Sequence, residues 1–203
     1  SYTHKILTGR AKNFNTLRQY KGISGFPKTE ESKYDNFNTG HSSTSISAAL
    51  GIAKARDLEN KNFQTIAVIG DGALTGGMSF EALNQAGHLK TDLIVILNDN
   101  KMSISPNVGA LPSYLRRMVT DPLYLERRKT AKDFLKQLPM IGSKAQTIAA
   151  DLEETLRAFT TTPGLLFKEL GFSYFGPVDG HNLGELIAAL RNIEKITGPR
   201  ILH

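Results

Sequence analysis

The stretch Thr65-Ile66-Ala67-Val68-Ile69-Gly70-Asp71-Gly72-Ala73, followed by Leu93-Ile94-Val95-Ile96-Leu97-Asn98-Asp99-Asn100, decides the fold. Each half opens with a short, continuous, β-branched apolar run and ends in a polar turn. Runs of this kind mark strands buried on both faces, as in a parallel sheet covered by helices on either side. Between them, Met78, Phe80, Leu83 and Ala86 share a helical face, and Gly87 is placed to close that helix as a C-cap. A strand, a helix and a second parallel strand follow, with a crossover that brings both polar turns to the same sheet edge.

Working outward, Ser43-Thr44-Ser45 precede the small, apolar segment Ile46 to Arg56, a helix whose hydroxyls are positioned to cap its N-terminus. It is expected to pack against the sheet. Downstream, Phe172 to Val178 reads as a strand. Leu183, Leu186, Ile187, Leu190 and Ile193 form one face of a helix that Gly198-Pro199 stops before a last strand at Arg200-Ile201-Leu202. Asp179 or Asn182 is placed to cap that helix. The fold class is therefore α/β, a parallel sheet with helices on both faces, in a single domain over residues 1–203. No internal repeat interrupts it.

Composition narrows the function. The formal charge is +6, with 25 Lys and Arg against 19 Asp and Glu. The excess sits in two blocks, +4 over residues 1–40 and +5 over residues 113–145. Residues 103–145, rich in Arg, Lys, Pro and Ser, read as a long basic excursion from the sheet. One reading of that excursion is a nucleic-acid-binding segment. Against it stand the lack of interleaved aromatics and of any nucleic-acid motif, so nucleic acid is not expected as a partner. There is no cysteine, which excludes disulfides, a thiol nucleophile and thiolate metal ligands. No apolar run approaches the roughly 20 residues of a membrane helix, so no membrane partner is expected. The chain starts Ser1-Tyr2-Thr3-His4-Lys5 and stops just after a strand, as a piece truncated at both ends would.

At the carboxyl ends of parallel strands, helix N-termini offer free N–H groups to phosphate. Gly72 and Ala73 occupy such a spot. The Asp71 carboxylate and the Asn100 amide oxygen, 29 residues further on, are hard oxygen donors suited to Mg²⁺. Gly-Asp-Gly by itself is also a common capping turn, and the spacing alone does not decide between the two.

Gly-Asp-Gly followed about thirty residues later by Asn resembles the motif of thiamine diphosphate enzymes. More closely, the chain resembles the 1-deoxy-D-xylulose-5-phosphate synthase family within the transketolase-like fold. The words that carry this run in order: His4 to Arg10, Gly40-His41-Ser42-Ser43-Thr44-Ser45, Gly70-Asp71-Gly72-Ala73, Leu97-Asn98-Asp99-Asn100, Met102-Ser103-Ile104-Ser105 and Gly176-Pro177-Val178-Asp179-Gly180-His181. The resemblance implies Mg²⁺ held by Asp71, Asn100 and the main-chain carbonyl of Met102. It implies thiamine diphosphate bound by Gly40, His41, Ser42, Gly72, Ala73 and Asn100, with His41 as the candidate catalytic proton shuttle.

It further implies pyruvate and D-glyceraldehyde 3-phosphate as substrates of the whole enzyme, a homodimer, and a cytoplasmic location, or the plastid stroma in a plant. Lys101 departs from the family, which usually has Glu there. The family's active-site histidine in a Gly-His-Gln word falls before Ser1, so its role is not carried to His4. The activating glutamate belongs to the following domain, so the piece alone is not expected to turn over. His181 is open between a structural and an active-site role. His88 and His203 are expected at the surface.

Overall fold

The computed structural model describes residues 1–100, 109, 110, 113–115 and 164–203. Four parallel strands, β1 (Ile66–Gly70), β2 (Leu93–Asn98), β3 (Ser173–Phe175) and β4 (Pro199–Leu202), form one sheet in the order β1-β2-β4-β3. Gly70 lies opposite Asn98 in the β1/β2 register, so the two strands end level. Among the described helices, α1 (Tyr2–Lys5) starts the chain. Next come α2 (Ser45–Leu58), the short α3 (Asp71–Leu74), α4 (Gly77–His88), α5 (Leu165–Glu169) and α6 (Leu183–Ile193).

The period-2 alternation of β2 separates two cores. Leu93, Val95 and Leu97 point toward α2 and α4 and join Ile46, Leu83 and Ala86. Ile94 joins Ile193 and Leu202 on the α6 face. Helices thus lie on both faces, as expected. β1 departs from the expectation of two buried faces: Ala67 and Ile69 are buried, but Ile66 and Val68 are 50% and 60% exposed. It is an edge strand, and its α6-side face has no helix over it among the described residues. The expected strand over Phe172 to Val178 shortens to three residues, because only Ser173–Phe175 pair with β4.

The end of α4 corrects one expectation. Gly87 is not a cap but lies inside α4; a Cβ there would sit 1.6 Å from the Leu170 carbonyl oxygen. Its missing side chain permits close approach to the turn after α5. The cap is made by Lys90, which takes the left-handed conformation (φ 48°) while its N–H bonds the Gly87 carbonyl and that of Thr91 bonds Ala86, both at 3.1 Å. On α4 the buried face centres on Ser79, Ala82, Leu83 and Ala86, and Met78 is exposed. On α6 only Ile193 is fully buried, with Leu183 and Ile187 facing outward. Asn182 does cap α6, accepting the Glu185 N–H at 3.2 Å. The far end of α6 is capped by Arg200, wholly buried, whose guanidinium donates to the Ile193 and Ile196 carbonyls and pairs with Asp92.

Residues 1–40 contain little regular structure and few buried apolar side chains. Charge organises them instead. Arg10 grips Asp35 through two hydrogen bonds of 2.6 and 2.7 Å, Lys5 donates to Glu31 at 2.7 Å, and His4 contacts Asp35 at 2.9 Å. Lys5 and Asp35 are 0% and 4% exposed. Hydrogen bonding from Arg10 holds the Asp35 carboxyl well below the usual carboxylate range, against the opposing effect of burial. His4 thus has a structural partner in this cluster.

Candidate functional site

Both expected ligand-bearing turns leave the sheet at its carboxyl edge. Asp71 opens α3 directly after β1, and Asn100 lies two residues beyond the end of β2. Asp71 is buried, and its carboxyl is pushed up, first by burial and next by the neighbouring Asp99 carboxylate, with which it shares a hydrogen bond. Two acidic groups meeting in a desolvated corner make an electrostatic cost that a cation relieves. The donors are oxygens, which fits Mg²⁺. No cluster of three or more His, Cys, Asp or Glu able to hold a metal occurs among the described residues. An Asp, an Asn and a main-chain carbonyl do not make such a cluster, so the fit rests on donor chemistry. Met102, expected to supply that carbonyl, and Lys101 lie outside the described residues, as does the basic excursion apart from Gly109, Ala110 and residues 113–115.

The loop Gly40-His41-Ser42 is brought against α3 by two hydroxyls. Ser43, in the left-handed conformation at φ 69°, donates to the Ala73 carbonyl at 2.7 Å. Ser79, fully buried on α4, lies 3.1 Å from the Ser43 carbonyl and 3.2 Å from that of Ala73. Gly76 is required beside them, since a Cβ there would lie 2.4 Å from Ser43 Oγ. The expected hydroxyl capping of α2 does not occur: Thr44 is the N-cap residue without a side-chain cap bond, and Ser43 is spent on Ala73. The tertiary acceptor outcompetes the local one.

His41 is exposed, its Nδ1 against the Ser42 carbonyl. His181 is fully exposed beside Asp179 at 3.5 Å and away from these contacts. His88 is at the surface as expected, but His203 is not: it is 8% exposed and follows β4 at the same edge. Its Nδ1 lies 2.9 Å from the Tyr174 hydroxyl and its Nε2 lies 3.2 Å from Asp99 Oδ2. Burial pushes the imidazole pKa down, against the pull of Asp99. Asp99, His203, Tyr174, Ser43 and Ser79 were not assigned from the sequence. The signal for Asp99 and His203 was present: each follows the end of an apolar run in a parallel sheet, where the crevice forms.

Comparisons with known proteins bear on the fold and the family. A family model described as 1-deoxy-D-xylulose-5-phosphate synthase matches residues 1–203. A 1-deoxy-D-xylulose-5-phosphate synthase of Syntrophomonas wolfei is 58% identical over the whole chain, which covers 32% of that relative. One from Halothermothrix orenii is 57% identical, with the same coverage. The chain thus spans about a third of the length of the curated relatives it matches. Among solved structures, transketolase from Campylobacter jejuni matches with a TM-score of 0.60 at 21% identity, over 94% of this chain and 24% of that one. Transketolase from Leishmania mexicana matches at 0.56 and 20%, over the same shares. These confirm the fold, and the match along the full length shows that the chain belongs to the 1-deoxy-D-xylulose-5-phosphate synthase family.

Proposed function

We propose that this chain is the part of a 1-deoxy-D-xylulose-5-phosphate synthase that holds thiamine diphosphate by its diphosphate end through Mg²⁺. In this reading the whole protein joins pyruvate to D-glyceraldehyde 3-phosphate with loss of CO₂. The observation that supports it is the level ending of β1 and β2, so that buried Asp71 and exposed Asn100 follow adjacent parallel strands at the sheet's carboxyl edge. Asp71 and Asn100 would grip the metal by side-chain oxygens, with Met102 contributing its carbonyl. The Gly72 and Ala73 N–H groups would face the diphosphate. Gly40, His41 and Ser42, fixed against α3 through Ser43 and Ser79, would line the pocket beyond. When bound, the cofactor supplies a carbanion nucleophile and an electron sink for decarboxylation. The chain's own task is to fix its position, which proximity effects make consequential for rate, and to move a proton at His41 Nε2. A homodimer in the cytoplasm goes with this reading.

The test is titration of thiamine diphosphate at fixed Mg²⁺ into the full-length protein and its Asp71→Ala variant. Loss of an anionic ligand is expected to weaken binding roughly 10–100-fold or more, since even outer-shell changes cost that much. Equal affinity would sink the assignment.

A further inference from the structure

Three elements that are distant in sequence meet through one imidazole. Tyr174 is on β3, His203 follows β4, and Asp99 follows β2, so their contacts run across the sheet's carboxyl edge. The His203 main chain is fixed on both sides. Its N–H donates to the Phe175 carbonyl, and its own carbonyl accepts the Val178 N–H, each at 2.8 Å. Gly176 leaves it room, because a Cβ there would stand 2.4 Å from the His203 carbonyl oxygen. The Tyr174 ring is itself held, stacked parallel on Phe167 with centroids 5.9 Å apart and closing over Gly164.

The hydrogen-bond chemistry makes the chain directional. With the ring proton on Nε2, His203 donates to Asp99 Oδ2. In the neutral ring Nδ1 is then an acceptor, and the Tyr174 hydroxyl donates to it. Removing that hydroxyl would let the imidazole take its other tautomer or turn, and the strut to Asp99 would slacken. Asp99 lies between Asn98, paired in register with Gly70, and the expected ligand Asn100. Holding its side chain toward the sheet is therefore a way to hold the turn.

We propose that Tyr174 is a positioning residue of the metal site: through the imidazole of His203 it anchors Asp99 and so fixes the Asn98–Asn100 turn that presents Asn100. The inference rests on the Mg²⁺ reading above but concerns residues that reading does not use. Outer-shell hydrogen bonds that orient metal ligands typically change affinity 10–100-fold. Tyr174 acts two links away, so the low end, roughly three- to tenfold, is expected.

The experiment measures Mg²⁺ dissociation constants of the full-length protein with thiamine diphosphate present, for the parent, Tyr174→Phe, Asp71→Ala and Ile193→Ala, together with ¹⁵N spectra of labelled histidine. Tyr174→Phe keeps the ring on Phe167. It is expected to weaken Mg²⁺ about three- to tenfold and to shift the His203 nitrogens from a pure Nε2–H pattern to a mixture. Ile193→Ala, a core truncation on the α6 face, is expected to lower the melting temperature and leave both readouts unchanged. If Asp71→Ala weakens Mg²⁺ while Tyr174→Phe leaves affinity and tautomer as in the parent, the proposal is overturned and the site stands. If Asp71→Ala itself changes nothing, the site reading fails. Should Tyr174→Phe not fold, the parent spectrum decides: a protonated Nδ1 on His203 overturns the proposed direction, and a pure Nε2–H pattern supports it.

Discussion

Replacing Asp35 by Asn tests whether charge, rather than apolar packing, holds the segment that leads into the Gly40-His41-Ser42 loop. The carboxylate receives two bonds from Arg10, one from the Lys28 N–H at 2.8 Å and a contact from His4. The amide would keep the shape but leave the Arg10 guanidinium, 6% exposed, with Glu31 at 3.5 Å as its only anion among the described residues. Removing one partner of a buried pair costs about 3–5 kcal/mol. At about 1.4 kcal/mol per tenfold, local opening of residues 24–41 should become roughly 10²- to 4 × 10³-fold more frequent. Hydrogen exchange read by mass spectrometry reports this directly, because openings of this size precede global unfolding. The pH dependence has a defined sign. Arg10 depresses the folded-state pKa of Asp35, so its contribution is complete above the unfolded value of about 3.9 and is lost as pH falls toward the folded one. The gap between parent and variant should therefore narrow in acid below about pH 4. Protection of residues 24–41 that is equal in the two proteins at pH 7 would refute the reasoning.

The remaining expectations concern α4 and Asp71. Gly87→Ala would place a methyl 1.6 Å from the Leu170 carbonyl oxygen; about 1 kcal/mol of helix propensity cannot offset that overpacking, so the melting temperature should fall. An unchanged or raised value would show that α4 does not touch that turn. Asp71 has its folded-state pKa raised by burial and by Asp99, so its contribution to stability is lost as pH rises from the unfolded value of about 3.9 through the folded one. Asp71→Asn should therefore melt higher than the parent at neutral pH without metal, and Mg²⁺ should raise the melting temperature of the parent alone. A variant that gains as much from Mg²⁺ as the parent would contradict the assignment.

The placement of Asp71 and Asn100 after adjacent parallel strands was legible because each follows a short apolar run, and two such runs joined by a helix leave few topologies open. What escaped depends on contacts between distant segments. His203 stood at the end of a strand with no sign that the strand inserts between β2 and β3, so it read as a surface residue. Ser43 had a helix start beside it and spends its hydroxyl on Ala73, 30 residues away. Gly87 had the right place for a cap, while the actual cap is a lysine that accepts positive φ to make two backbone bonds. Local rules weigh these residues against their neighbours in sequence, whereas the fold weighs them against neighbours across the sheet.

The strand order also sets a timetable for synthesis. Among the described strands β3 has only β4 to pair with, yet β3 is made first and Pro199 comes 24 residues after Phe175. At 5–20 residues per second, β3 waits roughly 1–5 s on the ribosome before its partner exists. The Gly-Asp-Gly turn and Asn100 leave the ribosome long before then, but the histidine that braces Asp99 arrives only with β4. A nascent chain that has passed Asn100 therefore carries the expected side-chain ligands without their brace, and β4 joins β2 to β3 at the moment it delivers that brace.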